Sequence, residues 1–261
     1  MGKAKVGQSP YLIGISVETL WCVQSTGTAD PPMICRCDDG SEYAVKGAIP
    51  NPSLPHQEYF CARLGELAGI NSPPIRIVKN NGQDCFGSRW ESGVETGTGP
   101  VDFWWVRAHA GDIDFSLLAP TLSRILAFDL FVHNVDRHLR NYIVRKQNFG
   151  HTVIAMDYSQ AWLWNGFPLP PIPLHSSAKT VIALRFLLKL FGHFIVQAQV
   201  EHVCKKLTEI KSSQILQIIH EQPASWLTKS RKDDIISWWE SADRLARIKQ
   251  VEEGIKNGSC L

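Results

Sequence analysis

The sequence predicts an α+β chain in two parts: a small antiparallel sheet that carries one helix, then a larger, mainly helical part. Two observations carry this expectation. The first ninety residues alternate short β-rich segments with turn-forming clusters, broken once by apolar residues at helical spacing. Beyond about residue 91 helical spacing dominates, interrupted by a single pair of strand-like segments. The 261 residues are 44% hydrophobic and 20% charged, ordinary globular composition with enough apolar material for one large domain or two lobes, read here as 1–90 and 91–261.

The elements follow in order. YLIGISVETLW, PPMICRC and EYAVKGA are strand-like, and STGTAD and DDGS, both turn formers, separate them. HQEYFCARLGELAGI at 56–70 has apolar residues at helical spacing, a Pro-rich entry in NPSLP and Gly69 near its exit. PPIRIVKN and DCFGSRW read as two more strands joined by NNGQ. SLLAPTLSRILAFDLFV is an apolar helix, YIVRK and HTVIAMD form a short hairpin, and NGFPLPPIPLHSS at 165–177 is a Pro-rich loop. VIALRFLLKLFGHFIVQA at 181–198 reads as one mostly buried helix whose Arg185, Lys189 and His193 make a polar stripe, and IISWWESADRLARIKQVEEGI as one final amphipathic helix.

Charge and cysteine content exclude several classes. A formal net charge of +2, with both signs spread along the chain, gives no general pull toward nucleic acid, and none is expected to bind directly. The N-terminal MGKAKVGQSPYLIG lacks a signal-peptide core, and no membrane span is expected. Seven cysteines without zinc-knuckle spacing read as reduced thiols in a cytoplasmic protein.

The chemistry concentrates in FVHNVDRHLRNYIVRKQNFGHTVIAMDYS, 131–159. Asp136 and Asn141 are five apart in a loop after an apolar helix, and Asp157 ends a strand. Unpaired, such charges among Val, Ile and Phe would be costly. Phosphoryl transfer in kinases uses this spacing: one Asp to orient a hydroxyl and accept its proton, and an Asn and a second Asp as hard oxygen ligands for magnesium. Upstream, Lys46 lies on the strand EYAVKGA and Glu58 near the start of the next helix, the order of the Lys–Glu ion pair of a kinase sheet.

NVDRHLRN followed by MDYS, with YAVK and HQEYFCARL ahead of it, resembles the HipA-like kinases, and more distantly the N-x-D-R-H-x-x-N loop of phosphoinositide kinases. FGSRW also looks like a stretch of compact HipA-like domains. The resemblance spans roughly residues 20–160 and implies a bilobal protein-kinase-like fold with ATP and Mg2+ as cofactors. It implies Asp136 as catalytic base, Asn141 and Asp157 as magnesium ligands, Lys46 as the contact to the ATP phosphates with Glu58 as its partner, and His138 against the nucleotide or bracing the loop. Position alone suggests Ser25, Thr26, Gly27 and Thr28 as the phosphate-cradling turn, since neither G-x-G-x-x-G nor the Walker pattern is present. Ser88, Arg89 and Trp90 fall where the crossover between lobes and an adenine edge are expected. The implied acceptor is a protein Ser or Thr; a catalytically weak binding module and a lipid or small-molecule kinase stay open. The familiar family member has an additional N-terminal domain for which the position of Lys46 leaves no room, so an antitoxin-type partner finds no support in the sequence.

Other features read more simply. His133, His138 and His151 lack the spacing of a zinc hydrolase. GDIDFS reads as a loop and helix cap in preference to a glycosidase acid pair. Trp104 with Trp105, and Trp162 with Trp164, are expected in a core rather than as base-stacking platforms.

Overall fold

The structure is a computed structural model and describes residues 16–24, 33–49, 51–90, 105–147 and 150–260. Five strands come first: β1 Ser16–Gln24, β2 Met33–Cys37, β3 Glu42–Lys46, β4 Ile75–Asn80 and β5 Gln83–Arg89, with helix α1 Leu54–Ala68 between β3 and β4. Their order is β1-β2-β3-β5-β4, and the sheet closes on itself because β1 also pairs with β4. That last pairing is parallel, so the expected purely antiparallel sheet is a closed mixed one with no edge left between β1 and β4. Val17, Cys35, Cys37, Tyr43, Val45, Val78 and Cys85 fill its interior.

The register sets Cys22 on β1 opposite Cys35 on β2, and the two form a disulfide. This corrects the reading of every cysteine as a reduced thiol. Cys37, Cys61, Cys85, Cys204 and Cys260 are free and buried.

Helix α2 Ala119–Phe131 is followed by the hairpin β6 Tyr142–Gln147 and β7 Gly150–Ala155. Then come α3 Lys179–Phe191, α4 Gln197–Glu209, α5 Ser212–His220, α6 Lys229–Glu240 and α7 Ala242–Lys256. Two expected single helices are therefore pairs. Gly192, at φ 68°, ends α3, and the chain re-enters a helix at Gln197; Ser241, with extended backbone, separates α6 from α7. The segments on either side of each break contribute buried residues to one core. GDIDFS supplies a cap as expected: Asp114 accepts from Ser116 N at 3.0 Å ahead of a short 3-10 turn.

α1 is buried nearly all round, with Pro at its start and left-handed Gly69 closing its end. It packs on β5 and also on α4 and α5, so its Phe60 and Leu64 belong to the large core that runs through α2 and α4–α7. Trp105 and Trp162 are buried in that core, and Trp162 stacks on Phe60 at 4.6 Å. Trp164 is exposed. Among the described residues no helix is long and apolar enough to cross a membrane.

Candidate active site

Strand alternation sends Tyr43 and Val45 into the sheet interior and leaves Lys46 on the other face. There its Nζ lies 2.5 Å from Glu58 Oε1, in the second turn of α1, and 2.9 Å from Asp157 Oδ1, just beyond β7. The second oxygen of Glu58 accepts the Tyr158 N–H at 2.9 Å. One ammonium and two carboxylates thus join β3, α1 and the end of the hairpin. Asp157 has φ 63°, a left-handed conformation that Asp tolerates, and its Oδ1 accepts from Ser159 N at 3.1 Å and Ser159 Oγ at 2.6 Å.

The loop after α2 carries the other groups. Arg137 is buried and bidentate to Asp129 of α2, at 2.8 and 3.0 Å, and it also donates to the Asn141 and Met156 carbonyls. Asn141 donates its amide to Asp136 O at 2.9 Å. Asn134 donates to Asp129 at 2.9 Å and accepts from Asp136 N at 3.2 Å. From the start of α3, Thr180 accepts from Arg137 N at 2.9 Å and donates to Asn134 O at 2.6 Å, and Lys179 Nζ meets Asp136 Oδ1 at 2.7 Å. Sequence reasoning missed Asp129, Thr180 and Lys179. Nothing local signals Thr180 and Lys179, because the Pro-rich loop separates α3 from the motif it touches.

A family model described as HipA-like kinase matches residues 22–252. The chain belongs to the HipA-like kinase family. Its fold is similar to that of the proinflammatory kinase CtkA of Helicobacter pylori, with a TM-score of 0.62 at 14% identity over 90% of this chain and 96% of that one. It is also similar to HipA of Shewanella oneidensis MR-1, from a toxin–antitoxin complex with HipB and operator DNA, with a TM-score of 0.53 at 12% identity over 97% of this chain and 69% of that one. At such identities the likeness concerns the fold. No curated protein matches the chain.

In this HipA-like kinase the electrostatics of the cluster follow from one cation shared by two acids. Burial alone would discharge Lys46, but Glu58 and Asp157 hold its ammonium well above the usual lysine range. Burial likewise works to raise Asp157, yet the Lys46 charge and the Ser159 hydrogen bonds hold it well below the usual carboxylate range. Glu58 goes the other way: burial pushes it up to about 7, against the pull of Lys46.

The remaining sequence-predicted residues divide. His138 Nδ1 accepts from Arg140 N at 3.2 Å within the loop, and burial holds its imidazole below the usual range. Ser88 is in the β3–β5 and β4–β5 ladders, while the N–H groups of Arg89 and Trp90 donate to Pro74 O and Glu42 O, so those two donors are taken. Ser25, Thr26, Gly27 and Thr28 lie outside the described residues.

Proposed function

We propose that this HipA-like kinase transfers the γ-phosphoryl group of ATP to a hydroxyl, that of a protein Ser or Thr, with magnesium. The observation that carries the reading is the Lys46 ammonium held between Glu58 and Asp157, beside a loop that presents Asp136 and Asn141. Lys46 would contact the ATP phosphates, with Glu58 fixing its position. Asp136 would orient the acceptor hydroxyl and take its proton.

Asp157 and Asn141 suit magnesium by their donor chemistry. The contacts to Asp157 gather on Oδ1, leaving Oδ2 for a cation, and the Asn141 amide nitrogen is committed to Asp136 O, which leaves its oxygen as the ligand. When bound, the ion would neutralise charge on the phosphates. Magnesium commonly keeps several waters, so Asp157 and Asn141 would complete its shell with water. The two lobes would divide near residue 90.

Incubation with labelled ATP and magnesium in a cell extract tests this, comparing wild type with Asp136→Ala and Asp157→Ala. Label on protein Ser or Thr is expected from wild type alone, with losses of roughly 10²-fold or more in each folded variant. Label in lipid, or a wild-type rate from Asp136→Ala, would overturn it. ATP binding without transfer to any acceptor would favour the binding-module reading.

A further inference from the structure

Lys179 touches the one carboxylate that the proposed reaction needs as a base, yet it comes from a helix 43 residues downstream of that base (179 minus 136). The contact is built rather than incidental. Thr180, the next residue, is buried and clamps the loop from both sides, accepting from Arg137 N at 2.9 Å and donating to Asn134 O at 2.6 Å. The start of α3 therefore has a fixed position relative to Asp136. Lys179 itself is 57% exposed against 13% for Asp136, so the ammonium that meets this largely covered carboxylate is open to solvent. The neighbouring Arg137 cannot serve there, because its guanidinium is committed to Asp129 and to the Asn141 and Met156 carbonyls. His138 is turned to the Arg140 N–H.

We propose that Lys179 is a catalytic residue: its ammonium contacts the transferring phosphoryl group and carries the charge that develops there. This rests on the reading of Asp136 as the base. In the step, the acceptor oxygen forms a bond to the γ-phosphorus while the bond from that phosphorus to the β–γ bridging oxygen breaks. ADP leaves with the electron pair, and the acceptor proton passes to Asp136. Lys179 stays protonated throughout and neither gives nor takes a proton. Before substrates arrive it pairs with Asp136; with the acceptor hydroxyl on that carboxylate, its donors turn to the phosphoryl oxygens. Lys46 on the nucleotide side and Lys179 on the acceptor side would thus flank the group in transfer. A preorganised donor at such a point accelerates the reaction without being needed for nucleotide affinity.

The test uses full-length Lys179→Met, which keeps the stem and removes the charge, Lys179→Arg, which restores a charge, and Asp136→Asn. The readouts are label transfer to extract protein at saturating Mg-ATP, and the dissociation constant of a non-hydrolysable ATP analogue with magnesium. The expected result is a loss of about a hundredfold in rate for Lys179→Met, with the dissociation constant within about threefold of wild type, and recovery of about tenfold by Lys179→Arg. A wild-type rate for Lys179→Met beside an inactive Asp136→Asn overturns the inference and leaves the function standing. A loss of analogue affinity as large as the loss of rate overturns it too, because Lys179 would then serve ground-state binding. If Asp136→Asn also runs at the wild-type rate, the base assignment fails and takes the inference with it.

Discussion

Arg137 bears more of the site's geometry than any residue proposed to touch substrate. Its side chain is 1% exposed, and its guanidinium holds Asp129 bidentately and lies 4.9 Å from the Tyr158 ring centroid. The two carbonyls it binds belong to Asn141, a proposed metal ligand, and Met156, which precedes the other. Arg137→Met would leave Asp129 as a buried, uncompensated charge, with an expected cost of about 3–5 kcal/mol. Urea titration should find that loss, and adding Asp129→Leu should recover part of it, since the two residues act as one unit. A pair of single losses that simply add would mean the ion pair is not the link. The sequence displays Arg137 beside Asp136 without displaying what it holds. Lys46 and Glu58 are legible only in combination: a lone Lys on a strand is usually solvated, and it is the downstream D-x-x-x-x-N with a strand-terminal Asp, in that order, that singles the pair out. Lys179 is not, because its meeting with Asp136 depends on how the 165–177 loop returns the chain.

At the scale of elements, α1 decides whether Glu58 stays on Lys46, and both parts of the molecule hold it. His56 Nδ1 and Gln222 Oε1 are 2.6 Å apart, Arg63 Nε donates to Glu221 at 3.0 Å and Tyr59 Oη to Glu221 at 3.2 Å, all just after α5. Glu221→Ala combined with Gln222→Ala should therefore speed hydrogen exchange along α1 while leaving α2 protected. Unchanged exchange in α1 would mean that packing alone fixes it. Within the sheet, Gly87 lies where an added Cβ would sit 2.3 Å from Val78 Cγ2. Gly87→Ala is expected to cost about 1–3 kcal/mol, and Val78→Ala in the same chain to restore part of it, measured by urea midpoints. Strands and α1 were legible from alternation and spacing. The breaks at Gly192 and Ser241 are not, because apolar residues keep helical spacing across both (Leu187, Phe191, Phe194, Ile195; Trp238, Trp239, Ala242, Leu245) while the buried positions change phase there, which leaves Ala242 and Leu245 exposed.

The whole molecule joins a small core inside the closed sheet to a large helical core, and buried histidines lie where the large core ties its elements together. His56, fully buried, links α1 to the turn after α5, and His133 lies 3.3 Å from Arg247 Nη2. Arg247 in turn donates to the Leu130 and Phe131 carbonyls, closing the end of α2 where the loop to Asn141 begins. Burial lowers His56 from 6.5 to about 4, and burial with the Arg247 charge lowers His133 to about 4. Between those values the unfolded chain binds a proton at each histidine that the folded chain refuses. Stability therefore rises with pH across the window from about 4 to 6.5 and is lost on acidification. The 2.5-unit difference at His56 corresponds to roughly 3 kcal/mol. Glu58 opposes this: raised from 4.5 to about 7, it retains a proton in the folded state that the unfolded chain has released, so its share of stability falls as pH rises between those values. Comparing variants separates the two. His56→Gln, which still offers the Gln222 side chain a polar partner, should flatten the rise in unfolding free energy between pH 4 and 6.5 by about 3 kcal/mol relative to wild type and leave the Glu58 contribution in place. Urea unfolding at half-unit pH steps reads the difference directly, and parallel profiles for the two proteins would mean that His56 takes up its proton in the folded state without disturbing the grip on α1.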